Sequence, residues 1–226
     1  MKKLAVFDID GTLFRSSLLI EVTNALIAEG IFPAKARLTY QQAYERWLNR
    51  KGSYGDYIRA VIIAFEKHIR GVQRTDFLRV VRKVTTYQKH RVYRYTRDLI
   101  KQLRKQGYFL LVISHSPADM VVEFTKHWGF HKAYGRMLEV QQGKFTGKIL
   151  FSELIDNKAK ILKRAVANER LSLKGSIAVG DSEGDIPMLK LVERPICFNP
   201  NGKLYRHAKR AGWKVVVERK DVVYSL

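Results

Sequence analysis

The stretch Leu4-Ala5-Val6-Phe7-Asp8-Ile9-Asp10-Gly11-Thr12 decides how the rest of the chain is read. Four apolar residues in a row predict a strand buried on both faces. Two carboxylates at i and i+2, followed by Gly and Thr, then stand at the carboxyl end of that strand, where open α/β sheets hold their ligands. Paired carboxylates in a loop suit a hard cation bound through oxygen, and one of them can act as a nucleophile. The alternative is a turn with two solvated acids, because Asp-Gly is a common turn dipeptide. What the remaining loops supply decides between the two.

Downstream of Thr12 the apolar spacing turns helical: Leu18, Leu19, Val22, Leu26 and Ile27, then a stop at Gly30. Further helical stretches are expected over Tyr40–Leu48, from Ile58 to Ile69 with Val61, Ile62 and Phe65 on the same face, and from Asp76 to Tyr87. From Val92 onward helices and strands alternate. Strands are expected over Tyr108–Ile113, Ser176–Val179, Pro195–Phe198 and, last, Lys214–Val217. This alternation predicts right-handed crossovers and a mainly parallel sheet flanked by helices, an α/β fold. The first strand must join that sheet to bury both its faces. Residues 15–90 are then an all-α insert at the carboxyl edge of the sheet, and residues 1–14 and 91–226 form the α/β core.

Composition narrows the class. The 226 residues, 46% hydrophobic and 28% charged, are those of a globular protein with room for one substantial core. Asp8 and Asp10 interrupt the apolar N-terminal stretch, so a secretory signal is not expected. No run approaches the ~18 apolar residues of a membrane span. The single cysteine, Cys197, excludes an intrachain disulfide, suits a cytoplasmic setting, and lies in an apolar run where a buried, inert thiol is expected. The net charge of +21 is the outlier. It raises nucleic-acid binding as an alternative, but residues 15–90 hold 14 of the 42 basic and 6 of the 21 acidic residues, close to an even spread. A generally basic surface that attracts anionic substrates is the favoured reading.

Three later loops carry chemistry. Ser114-His115-Ser116-Pro117 follows a strand and precedes a helix, where a hydroxyl and free N–H groups make an anion site; a simple Ser N-cap is the alternative. Lys158 begins a helix, where its charge opposes the helix dipole. Gly180-Asp181-Ser182-Glu183-Gly184-Asp185 follows a strand: Asp181 stands where a metal ligand would, and Asp185 precedes Ile186-Pro187 as an N-cap would.

Taken in this order, the four loops resemble the motifs of the haloacid dehalogenase superfamily, most of whose members are phosphatases. Asp8-Ile9-Asp10-Gly11-Thr12 fits the first motif, Ser114 the second, Lys158 the third and Gly180 to Asp185 the fourth. Leu138-Glu139-Val140 through Gly143-Lys144-Phe145-Thr146-Gly147 looks like the hairpin region of the phosphoserine-phosphatase-like branch, as does Asn199 to Leu204 followed by Gly212-Trp213. A helical cap between the first two motifs is also that branch's arrangement. The resemblance implies a Rossmann-like core and a Mg²⁺-dependent phosphatase acting on a small phosphorylated substrate through an aspartyl-phosphate. Asp8 is then the nucleophile and Asp10 the general acid and base. Ser114 and Lys158 hold the phosphoryl group. Asp8, the Asp10 carbonyl and Asp181 bind the metal, and Asp185 orients the groups around it. A monomer or homodimer is expected, with a phosphotransferase or mutase as the alternative activity.

Three positions depart from the branch's pattern. Ser17 stands where phosphoserine phosphatase has a cap acid for the substrate amine, and the nearest acid is Glu21. His115-Ser116 replaces a Gly-Gly pair, and Gly184 replaces an Asn. These departures disfavour phosphoserine as substrate. Arg46, Arg50, Tyr54, Tyr57 and Arg59 in the insert are candidates for a second anionic group, or a solvated helical face.

Overall fold

The computed structural model describes the backbone of residues 1–226 and every side chain except those of Leu154 and Ile155. The first strand, β1 (Lys3–Phe7), runs through the middle of an eight-stranded sheet in the order β4-β3-β2-β1-β5-β6-β7-β8. Its neighbours are β2 (Phe109–Pro117) and β5 (Ser172–Gly180), both parallel to it. On one flank β3 (Lys132–Gln141) joins β2 in parallel and turns back as the antiparallel β4 (Lys144–Leu150). On the other, β6 (Arg194–Phe198) and β7 (Lys214–Arg219) continue the parallel order.

The apolar run of β1 is buried on both faces, as its composition requires. Ala5 and Phe7 face one cluster, with Phe14, Ile100 and Phe124; Leu4 and Val6 face the other, with Ile161, Leu162 and Leu204. Side chains that alternate along a strand divide a continuous apolar run between two layers. Helices α5 (Arg94–Lys105) and α6 (Ala118–Thr125) supply the first layer, and α8 (Lys158–Asn168) and α10 (Gly202–Ala211) the second. Two short helices, α7 (Ser152–Ile155) and α9 (Ile186–Leu189), complete the alternation.

Between β1 and α5 lie four helices: α1 (Leu18–Ala28), α2 (Leu38–Leu48), α3 (Tyr54–Ile69) and α4 (Arg74–Gln88). The chain leaves and returns to the core side by side. Arg15 N–H donates to the Arg91 carbonyl at 2.9 Å, and Tyr93 N–H to that of Leu13 at 3.0 Å. A second attachment lies at the α3–α4 turn, which pairs with the β3–β4 hairpin. Gly71 N–H donates to Phe145 O (2.8 Å), Phe145 N–H to Val72 O (3.0 Å) and Arg74 N–H to Gly143 O (2.8 Å). Phe77 meets the Phe145 ring edge-on beside it. The apolar faces of the four helices run into the same cluster as Phe7 and Phe124.

The sheet differs from its sequence reading at its ends. A strand, β8 (Val222–Ser225), follows the expected last one and pairs antiparallel with β7. It is short and largely exposed, so no apolar run marks it. The strand expected over Tyr108–Ile113 extends to Pro117, with an irregular register to β3 between Ile113 and Pro117. Ser114 therefore lies within a strand. It is no cap of α6, whose N-cap position is Pro117, without a side-chain bond. Among the described residues no helix is long and apolar enough to cross a membrane.

Candidate active site

Strand order reverses at β1: the chain continues to β2 on one side and crosses to β5 on the other. The crevice outside the carboxyl ends of β1, β2 and β5 is thus the switch point at which α/β sheets bind ligands. Asp8 and Asp181 directly follow β1 and β5, Ser114 lies in the carboxyl-terminal half of β2, Lys158 starts α8, and Asp185 closes the turn after β5.

Lys158 is the centre of the cluster. Its ammonium is 2.6 Å from Asp8 Oδ1 and 2.6 Å from Asp185 Oδ1, and all three side chains are buried. Burial works against its charge, and Asp185 and Asp8 more than offset that, so its pKa is raised. The position opposes the helix dipole, and Asn157 caps α8 in its place by accepting from the N–H groups of Ala159 and Lys160. Asp185 divides its oxygens. Oδ1 takes Lys158, and Oδ2 accepts from Asp181 N–H (3.0 Å), Ser182 N–H (3.0 Å) and Ser182 Oγ (3.2 Å), closing a capping box on the turn 183–185.

Asp8, Asp181 and Asp185 bring ligand oxygens within 4.8 Å of one another, the one such cluster of three or more ligating side chains among the described residues. Burial, opposed by Lys158 and reinforced by Asp185 and Asp10, pushes the Asp8 carboxyl up to about 7. Burial and the neighbouring Asp8 and Asp185 charges raise Asp181 well above the ordinary carboxylate range. With Asp10, four carboxylates share one ammonium. All of the donors are oxygens, as a hard divalent cation requires, and the surplus negative charge fits such an ion. Asp181 also accepts from Thr12 Oγ1 at 3.4 Å.

Two glycines make this approach possible. Gly11 has φ +81°, and a β-carbon there would fall 2.2 Å from Asp181 Oδ2. One on Gly180 would fall 2.5 Å from the Asp185 side chain. Only glycine leaves room for the carboxylates at either place.

Asp10 is held by α1 and β2 together. Oδ1 accepts from Leu18 N–H, the first residue of α1, at 2.5 Å, while Oδ2 accepts from Ser114 Oγ (2.9 Å) and Ser116 Oγ (2.8 Å). Ser114 thus sits on Asp10 rather than beside Lys158, and it also accepts from Ser116 N–H at 3.0 Å. The sequence reading singled out Ser114 and passed over Ser116; the only signal was its i+2 spacing, which in an extended chain repeats a direction. His115 between them faces away from Asp10, and its ring lies over Gly184, where a β-carbon would be 3.6 Å from Cε1. Two of the three departures from the family pattern are therefore neighbours. Partial burial and the Lys158 charge hold the imidazole down at about 4, so it is neutral at pH 7.

A cavity of about 670 Å³ opens above the carboxylates, between α3 and the β3–β4 hairpin. Asp8, Asp10, Lys158, Asp181 and His115 line its floor, and Tyr54, Arg59 and Arg136, with Lys203 and Arg206 of α10, stand around it. Of the insert residues proposed from sequence, Arg59 is exposed and paired with Asp56. Tyr57 packs against Trp47, ring on ring, its hydroxyl pushed up to about 12 by burial. Arg46 and Arg50 are not among the residues lining this cavity. Glu21, the nearest insert acid, is taken up by Ser16 Oγ (2.7 Å), Arg91 (2.9 Å) and Gln88 (3.2 Å), and it borders an adjoining cavity of about 640 Å³ that meets the first at Tyr54 and Asp181. A larger hollow of about 910 Å³ between α5 and the β6–β7 edge contains none of the clustered carboxylates. Cys197 is buried, its thiol pushed up to about 12 by burial, which suits an inert group.

Residues 5–190 match the haloacid dehalogenase-like hydrolases, and the chain belongs to that family. Within that family it is an enzyme of the phosphatase type. It is 27% identical over 222 residues to the phosphoserine phosphatase of Methanocaldococcus jannaschii, covering 98% of this chain and 94% of that one. It is 26% identical over 219 residues to phosphoserine phosphatase SerB1 of Mycobacterium tuberculosis, covering 93% and 69%. The fold is shared with a protein of unknown function from Bordetella pertussis Tohama I (TM-score 0.74, 20% identity, 95% and 98% covered). A solved phosphoserine phosphatase carrying a phospho-aspartyl intermediate analogue also shares it (TM-score 0.64, 23% identity, 97% and 95% covered).

Proposed function

We propose that the chain is a Mg²⁺-dependent phosphomonoesterase that hydrolyses a small phosphorylated compound through an aspartyl-phosphate on Asp8. The observation that supports this most is the set of Asp8, Asp181 and Asp185 beside the buried Lys158, on the floor of a cavity at the switch point of the sheet. Helices α1 to α4, residues 15–90, act as a cap over that floor and keep bulk water from the intermediate. The net charge of +21 draws anionic substrates toward it.

In this reading an Asp8 carboxylate oxygen attacks phosphorus while the bond to the leaving oxygen breaks, and Asp10 gives that oxygen its proton. Asp10 next takes a proton from a water that attacks the phosphoryl group on Asp8, which frees the carboxylate and inorganic phosphate. Lys158, held between Asp8 and Asp185, offsets charge on the phosphoryl oxygens. The Ser114 hydroxyl, free to rotate, turns its proton from Asp10 to one of those oxygens. Bound through Asp8, the Asp10 carbonyl and Asp181, Mg²⁺ supplies the charge that lets an anionic nucleophile approach an anionic phosphate.

Release of phosphate from p-nitrophenyl phosphate in Mg²⁺ tests the reading. Activity disappears with EDTA and returns with excess Mg²⁺. Release that persists in EDTA removes the metal from the mechanism, and no release in Mg²⁺ removes the phosphatase.

The same site predicts a pH effect on stability. The Asp8 pKa, about 3.8 in the unfolded chain, is raised to about 7 in the folded one. Between those values the native state holds more protons than the unfolded state, so stability is full below about 3.8 and is lost as pH rises through about 7. In EDTA the melting midpoint at pH 8 is expected roughly 5 °C or more below that at pH 5. Saturating Mg²⁺ narrows the gap by stabilising the charged form.

A further inference from the structure

The apolar face of α3 is wider than its packing uses. Val61, Phe65 and Ile69 are buried in the core, whereas Ile58 and Ile62, on the same side of the helix, are only half-buried and line the cavity above Asp8. Across the cavity Leu138 of β3 and Ile149 of β4, also half-buried, face them, and Leu19 and Pro117 close the wall toward the floor. One side of a phosphate-binding cavity is therefore aliphatic.

The charged groups beside that wall are already engaged. Glu66 pairs with Arg136 at 3.5 Å and Glu183 with Lys203 at 3.0 Å, and Glu21, in the adjoining hollow that meets this cavity at Tyr54 and Asp181, pairs with Arg91 at 2.9 Å. A substrate ammonium thus finds no unengaged acid above the floor. Ser17, at the position where an acid would be needed, is buried.

Building on the phosphatase reading, we propose that the substrate is a phosphate monoester with an aliphatic body. Its phosphoryl group lies on Asp8 and Lys158, and its chain lies between Ile58 and Ile62 on one side and Leu138 and Ile149 on the other. Transfer of the chain from water to this wall favours longer chains, by up to about fourfold for each methylene group buried. An amino-acid phosphate gains nothing from the wall and loses the hydration of its ammonium.

The test is phosphate release from a series of n-alkyl phosphates, ethyl to octyl, kept below their micellar concentrations, with O-phospho-L-serine and p-nitrophenyl phosphate alongside. The expected result is a kcat/KM that rises about two- to fourfold per methylene until the cavity is filled, with O-phospho-L-serine below butyl phosphate. Ile62→Asn and Leu138→Asn, both at half-exposed positions, each flatten that rise. A chain-length profile that is flat in the unmodified enzyme, or O-phospho-L-serine above every alkyl phosphate, overturns the proposal and leaves the phosphatase intact. No hydrolysis of any compound, p-nitrophenyl phosphate included, overturns the phosphatase reading and this proposal with it.

Discussion

Lys158→Met will lower the stability of the protein by about 3–5 kcal/mol, because it leaves two carboxylates buried without their cation. For a chain of this length that is a fall in melting midpoint of roughly 10 °C. The residue has almost no contact with solvent, and among the described residues neither Asp8 nor Asp185 has another cation at ion-pairing distance to turn to. The same substitution removes the charge proposed to face the phosphoryl oxygens and is expected to cost about a hundred- to a thousandfold in kcat. A second substitution separates the two effects. Adding Asp185→Asn to Lys158→Met neutralises one of the stranded charges and keeps an oxygen for the N–H groups of Asp181 and Ser182. Thermal denaturation of the double variant should recover much of the lost midpoint, while its phosphate release stays low. Equal midpoints for the single variant and the unmodified protein would show that Lys158 is not compensating buried charge.

Asp8→Asn has the opposite signature. It removes the proposed nucleophile, and kcat is expected to fall by more than about a thousandfold. The amide has the shape of the carboxylate and can still accept from Lys158. It also ends the repulsion by Asp10 and Asp185 that helps to raise the Asp8 pKa. In EDTA at pH 8 its melting midpoint is therefore expected to rise by several degrees as activity vanishes, the mark of a site that gives up stability for chemistry. Phosphate release at the unmodified rate would end the assignment of Asp8 as nucleophile, whatever happened to the midpoint.

Much of the centre of the fold could be read from local pattern. The β1 run and the apolar stretches of β2, β5 and β6 announce themselves because a strand covered on both faces has no polar residues to interrupt it. The carboxylates were legible for a related reason: acids at a strand end stand out against the apolar residues before them. The periphery was less legible. β8 is too short and too exposed to leave a pattern, and it exists because β7 offers an edge to pair with. Ser116 joins Asp10 only through the extended geometry of residues 114–117, a register matter that local sequence does not report. Ile58 and Ile62 read as core from their spacing. Periodicity identifies an apolar face, but only the distance to the opposing hairpin decides whether protein or a ligand covers it.

Backbone-to-backbone bonds join the insert to the rest of the chain in two places, the paired segments at Arg15 and Arg91 and the α3–α4 turn against the hairpin, with the ion pairs Arg74–Asp119 and Glu66–Arg136 beside the second. Mechanically, two fixed points define an axis. Any movement that spares both sets of backbone bonds is a rotation about the line between them. Lifting the turn away instead sacrifices three bonds, at about 0.5–1.5 kcal/mol each. The parts of the insert farthest from that line travel most, and those on it barely move. Because Leu18 N–H is bonded to Asp10 close to the first fixed point, the carboxylate proposed as acid and base sits near the pivot, where rotation of the insert displaces it least.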